Sequence, residues 1–82
     1  MNRPWALISG ATSGFGATTA ELLAQKGWNL LLTGRRSERL AVQAKACEAH
    51  GATVWFESWD MRDKEATERG VAALMAQAGI GA

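Results

Sequence analysis

Short apolar runs alternate with longer stretches of helical spacing along this chain. Trp5-Ala6-Leu7-Ile8-Ser9 opens the series and reads as a strand, with Pro4 just before it, where a missing N–H costs little. From Gly16 to Lys26 the apolar positions change period. Ala17, Ala20, Leu23 and Ala24 recur on one side of a helix, and Gly27 marks its stop. Asn29 to Thr33 reads as a second strand, and its Leu30-Leu31-Leu32 core is the unbroken apolar run of a strand buried on both faces. Ser37 is placed to cap a second helix running to about His50 and stopping at Gly51, with Leu40, Ala41, Ala44 and Cys47 inward. Thr53 to Ser58, rich in β-branched and aromatic types, is a third strand. Asp63 is placed to cap a third helix from Lys64 to Gln77, in which Gly70 is a modest cost against alanine. The tail, Gly79 to Ala82, reads as irregular and prone to fray.

The resulting order is β-α-β-α-β-α, an α/β chain. Right-handed crossovers lay its three parallel strands side by side in the order 3-2-1, flanked by helices. That is a partial Rossmann arrangement, the first half of a doubly wound sheet, and residues 1–82 are expected to form one half-domain. No repeat, linker or low-complexity tract divides the chain.

The turn after the first strand carries the first chemical signal. Ser9-Gly10-Ala11-Thr12-Ser13-Gly14-Phe15-Gly16 spaces its glycines Gly-x-x-x-Gly-x-Gly between a strand and a helix. Gly10 permits a tight exit from the strand. Gly14 and Gly16 permit close approach of backbone to a pyrophosphate and of helix to sheet, with helix N–H groups facing the phosphates. The plain alternative is a glycine-rich structural turn, which the flanking strand and helix make the weaker reading. The second signal is Thr33-Gly34-Arg35-Arg36, at the end of the second strand. A fold that takes NAD usually places a carboxylate here for the ribose hydroxyls. Gly34 removes that carboxylate, and two guanidinium groups follow, which suits a 2′-phosphate and so NADP(H). The alternative is a solvated arginine pair offset by Glu38. Asp60 ends the third strand, where its carboxylate is placed either to accept from an adenine amine or to cap a turn.

These segments resemble the short-chain dehydrogenases/reductases, NADP-preferring members above all. The glycine turn is similar to that family's Thr-Gly-x-x-x-Gly-x-Gly, with Ser9 in place of threonine. Thr33 to Leu40 is similar to the segment after the second strand, and Asp60-Met61 to the Asp-Val or Asp-Leu pair. Gly-Phe-Gly together with Gly-Arg-Arg-x-Glu-Arg-Leu most resembles the branch that oxidises serine and 3-hydroxy acids. The resemblance implies that Gly10, Gly14, Phe15 and Gly16 line the pyrophosphate. It implies that Thr12, Ser13, Arg35 and Arg36 surround the ribose and its 2′-phosphate, and that Asp60 and Met61 hold the adenine. It also implies an Asn-Asn-Ala-Gly motif, an active-site serine segment and a Tyr-x-x-x-Lys. None of these occurs in the chain, which contains no tyrosine. The expectation is therefore an N-terminal NADP(H)-binding portion of an oxidoreductase with no catalytic residue of its own, inactive by itself. The competing expectation is a non-catalytic module that keeps the fold and self-associates through an open sheet edge or the third helix, leaving Val71, Leu74 and Met75 without cover as a monomer.

Composition narrows the partners. Nine basic and eight acidic residues give a net charge of +1, too balanced for a nucleic-acid footprint. The single cysteine, Cys47, excludes an internal disulfide and fits a reducing cytoplasm. A lone histidine, His50, and one cysteine offer no metal-ligand set. No apolar run approaches membrane-spanning length. Four tryptophans are many for 82 residues, and some are expected on surfaces a second copy would bury.

Overall fold

A computed structural model describes residues 3–80. It contains β1 (Trp5–Ile8), α1 (Gly14–Gln25), β2 (Asn29–Gly34), α2 (Ser37–Glu48), β3 (Val54–Ser58) and α3 (Lys64–Ala78). The three strands form one parallel sheet with β2 in the centre, the expected order read from its other edge.

Register explains which apolar residues are buried where. Ala6 lies level with Leu30 and Val54, and Ile8 with Leu32 and Phe56. Because side chains alternate along a strand, these two rows share one face. That face carries the main core, in which Leu30, Leu32, Leu40 and Cys47 are fully buried beside Ala20 and Ala24 of α1 and Ala44 of α2. The alanine stripe of α1 lets that helix approach the sheet closely.

The opposite face holds the row Leu7, Leu31 and Trp55. Here α3 packs on β3 and buries Leu74 completely, while Val71 and Met75 are half-buried. The expectation that all three lack cover is therefore corrected. The helix lies along the outer part of the sheet, where Trp59 and β3 shield it. Leu7 remains 47% exposed and Trp55 41%, and among the described residues β1 pairs only with β2.

Boundaries shift for local reasons. β1 stops at Ile8 because Gly10 turns the chain with a φ of 63°, a left-handed conformation that side chains disfavour. α1 starts at Gly14 rather than Gly16, because Ser13 caps it: its Oγ accepts from the Gly16 N–H at 3.1 Å. At α2 the expected cap is corrected. Ser37 is the first helical residue, and Arg36 occupies the cap position without any side-chain bond. β3 begins at Val54 because the Thr53 N–H is taken by the Asn29 side chain at 2.9 Å. Asp63 caps α3 as expected, accepting from the Ala66 N–H at 3.0 Å.

Arg3 contributes an anchor that the sequence pattern does not reveal. Its Nη2 donates to the carbonyls of Ala24 at 3.0 Å and Trp28 at 3.1 Å, tying the N-terminal segment to the end of α1. His50, just past the end of α2, lies 3.3 Å from the Glu21 carboxylate of α1. Gly79 ends α3; Gly81 and Ala82 of the expected irregular tail lie outside the described residues. No helix among the described residues is long and apolar enough to cross a membrane.

Candidate functional site

The C-terminal ends of the three parallel strands point to one edge of the sheet, where open α/β sheets place their ligands. A cavity of about 520 Å³ opens there. Gly10, Thr12 and Ser13 contribute from the turn after β1, and Gly34, Arg35 and Arg36 from the end of β2. Arg39 reaches it from α2, and Trp59, Asp60, Met61 and Arg62 from the segment after β3. Seven of the ten expected site residues thus meet: Gly10, Thr12, Ser13, Arg35, Arg36, Asp60 and Met61.

Gly14, Phe15 and Gly16 do not line this cavity. Gly16 is buried, and a Cβ there would overlap the Gly10 carbonyl oxygen. Its role is to let the helix start against the turn. Gly14 is different: a Cβ there would meet nothing within 4 Å, so the space in front of it is open. The N–H groups of Gly14 and Phe15 precede the first intrahelical bond and have no acceptor among the described residues. Phe15 itself is 88% exposed.

The electrostatics of the cavity are lopsided. Four arginines (35, 36, 39 and 62) face one carboxylate, Asp60. Arg36 and Arg39 also sit at the start of α2, where the helix dipole already concentrates positive charge and no side chain caps the free N–H groups. Cations in that position carry an electrostatic cost that an anion in the cavity would offset. Gly34 keeps the wall beside them low. An added Cβ would lie 3.4 Å from Thr12 Oγ1 and 3.6 Å from Leu40 Cδ2, in ordinary van der Waals contact with both.

Asp60 is held by Arg62. The Arg62 N–H donates to Oδ1 at 3.0 Å, Nε donates to Oδ1 at 3.1 Å, and Nη2 donates to Oδ2 at 2.9 Å. Arg35 Nη2 lies farther off, 4.0 Å from Oδ2. The bonds from the Arg62 side chain and backbone lower the Asp60 pKa from 3.8 to about 2. Among the described residues, no group of three or more His, Cys, Asp or Glu is placed to hold a metal ion.

Sequence reasoning missed Gly34 as a wall, Arg39, Trp59 and Arg62. Trp59 is the structural link. Its N–H donates to the Gly34 carbonyl at 3.0 Å, and its Nε1 donates to Thr67 Oγ1 at 3.0 Å. The indole lies so close to Gly70 that a Cβ there would overlap ring atoms. It thereby joins the end of β2 to α3 and fixes Asp60, the next residue. The signal available in the sequence was Gly70 itself, a glycine in the middle of a helix.

Comparison with known proteins adds a family to this geometry. The family model described as short chain dehydrogenase matches residues 4–80. Serine 3-dehydrogenase of Agrobacterium fabrum is 47% identical over 70 residues, which cover 83% of this chain and 26% of that protein. A short-chain dehydrogenase/reductase structure from Sinorhizobium meliloti superposes with a TM-score of 0.87 at 30% identity, covering 96% of this chain and 36% of that one. An alcohol dehydrogenase from Thermococcus sibiricus, complexed with 5-hydroxy-NADP, gives 0.87 at 27% identity, covering 93% and 33%. The chain thus spans about a quarter of the length of the serine 3-dehydrogenase.

Proposed function

The chain belongs to the short-chain dehydrogenase family, and from that premise we propose that its 82 residues form one half-domain that binds NADP(H) by the adenosine end. Members of this family bind a nicotinamide dinucleotide. The observation that carries the preference for the 2′-phosphate is the arginine set at the uncapped start of α2. Arg35, Arg36 and Arg39 line the cavity beside Gly34, where an NAD site would place a carboxylate.

The residues present fit such a group. Arg35 and Arg36 would hold the 2′-phosphate, with Thr12 and Ser13 beside the ribose. Asp60 and Met61 would border the adenine. The open space before Gly14, next to the free N–H groups of Gly14 and Phe15, would admit the pyrophosphate, and Gly10 and Gly16 keep that turn compact. The bound cofactor would supply hydride transfer. These 82 residues would bind and orient it; the Tyr-x-x-x-Lys that the family resemblance implies as general acid/base is not among them. The whole protein is an oxidoreductase acting on a hydroxyl or carbonyl carbon.

Calorimetric titration with NADP+, NAD+ and adenosine 2′,5′-bisphosphate tests the assignment. NADP+ and the bisphosphate bind, and NAD+ is weaker by about 10- to 100-fold, the loss of charge-assisted phosphate contacts. Equal affinity for NAD+ and NADP+ removes the 2′-phosphate assignment, and no binding by any of the three removes the site. A second reading, self-association in a cytoplasmic homo-oligomer, is favoured by the open edge of β1 and by exposed Leu7 and Trp55 flanking Leu31.

A further inference from the structure

Arg35 and Asp60 are opposite in charge and close together at the cavity wall, yet no hydrogen bond joins them. Arg35 Nη2 stops 4.0 Å from Asp60 Oδ2, the outer limit of an ion pair. Both side chains are partly exposed, so packing does little to hold them apart. What occupies Asp60 instead is Arg62. Its backbone N–H and Nε donate to Oδ1 at 3.0 and 3.1 Å, and its Nε and Nη2 donate to Oδ2 at 3.3 and 2.9 Å. Each oxygen thus takes two contacts, about the full number that a carboxylate accepts. Among the described residues, Arg35 reaches no carboxylate other than Asp60 within 4.0 Å. It remains turned to the cavity, which it lines.

Resting on the reading that the cavity takes a 2′-phosphate, we propose that Arg62 is a positioning residue for that phosphate preference: it saturates Asp60 and so keeps Arg35 available to the ligand. Arg62 itself touches no phosphate. Without it, Asp60 is an unpartnered carboxylate beside a guanidinium whose planar fork matches it, and Arg35 closes on Asp60. A 2′-phosphate in the cavity then loses one of its cationic partners. A ligand without that phosphate loses nothing at Arg35. Arg62 is an exposed side chain, 77% accessible, so replacing it leaves the core untouched.

The test compares adenosine 2′,5′-bisphosphate with adenosine 5′-monophosphate by calorimetry on the 82-residue chain and its variants. The two probes share the base and the 5′-phosphate, so changes in those contacts cancel in the ratio of affinities. Arg62→Gln lowers the native preference for the bisphosphate by about 3- to 10-fold, between the scale of an exposed ion pair and that of a charge-assisted fork. Asp60→Asn alone moves the ratio by less than about twofold, because Arg62 already engages that carboxylate. Added to Arg62→Gln, the same Asp60→Asn restores the native ratio. In an Arg35→Gln chain, Arg62→Gln has no further effect on the ratio. The proposal fails if Arg62→Gln keeps the native ratio. It fails if Asp60→Asn raises the ratio equally with and without Arg62, since the two residues then act as independent charges. It fails too if Arg62→Gln lowers the ratio as much in the absence of Arg35, since Arg62 then serves the phosphate itself. A native chain that binds both probes alike, or neither, overturns the 2′-phosphate reading and this proposal with it; the other failures leave that reading standing.

Discussion

Gly70→Ala reverses the usual sign of a helix substitution in this protein. Inside a helix, alanine in place of glycine stabilises by about 1 kcal/mol, because it restricts the unfolded chain. Here the new methyl would overlap Cε3, Cζ3 and Cδ2 of Trp59. The indole cannot simply withdraw. Its Nε1 is bonded to Thr67 Oγ1 at 3.0 Å, and its backbone N–H to the Gly34 carbonyl at 3.0 Å. Losing the Thr67 bond costs about 1 kcal/mol, and forcing a methyl into a packed contact costs about 1–3 kcal/mol. Set against the propensity gain, the net result is destabilisation by about 1–3 kcal/mol. Urea unfolding followed by far-ultraviolet circular dichroism measures it. The same substitution in a Trp59→Ala background regains its ordinary stabilising sign, so the double-mutant cycle shows coupling of about 2–4 kcal/mol. If Gly70→Ala raises stability with Trp59 in place, the ring is not held against the helix and the account of Trp59 as a link between β2 and α3 is wrong.

Two further outcomes are expected. The Asp60 pKa, lowered to about 2 by its bonds to Arg62, lies below the ordinary 3.8. The stabilising contribution is therefore complete above about pH 4 and is lost as pH falls through the folded-state value. A carboxyl NMR titration reads this directly. Arg62→Gln moves the midpoint up toward the ordinary value, and a native midpoint already near 4 would show that the Arg62 fork does not form. Sedimentation velocity of the folded chain shows a concentration-dependent dimer, weakened by Leu7→Lys; a folded monomer at every concentration excludes association through the β1 edge.

Much of the architecture was legible because period and punctuation agreed. Leu30-Leu31-Leu32 marked the central strand, and both of its faces are indeed covered. Asp63 marked the start of α3. Misplaced boundaries came from side chains competing for the same backbone groups. Ser13 and Ser37 are both capping types, but only Ser13 stands where its Oγ meets a free N–H. The residues of the candidate site were legible where they sit beside the glycine turn or at the end of a strand. Trp59 was not, because its meaning depends on a helix residue, Gly70, that only tertiary packing brings against it. Arg62 was within reach, since an arginine two residues after an aspartate is a local turn that a side chain can close.

The order of the sheet bears on how the protein is made. Each strand pairs with its neighbour in sequence: β1 with β2, then β2 with β3. None must wait for a distant segment, so loop-closure entropy stays small at every step. During synthesis, β1, α1 and β2 can pair once residue 34 has emerged, burying the α1 alanines against Leu30 and Leu32. The cavity needs nothing beyond Arg62 among its walls. Its wall residue Trp59 is in turn braced by Thr67 and Gly70 of α3, so a nucleotide held in the cavity would act as a folding ligand, stabilising all three strands and α3 together by mass action.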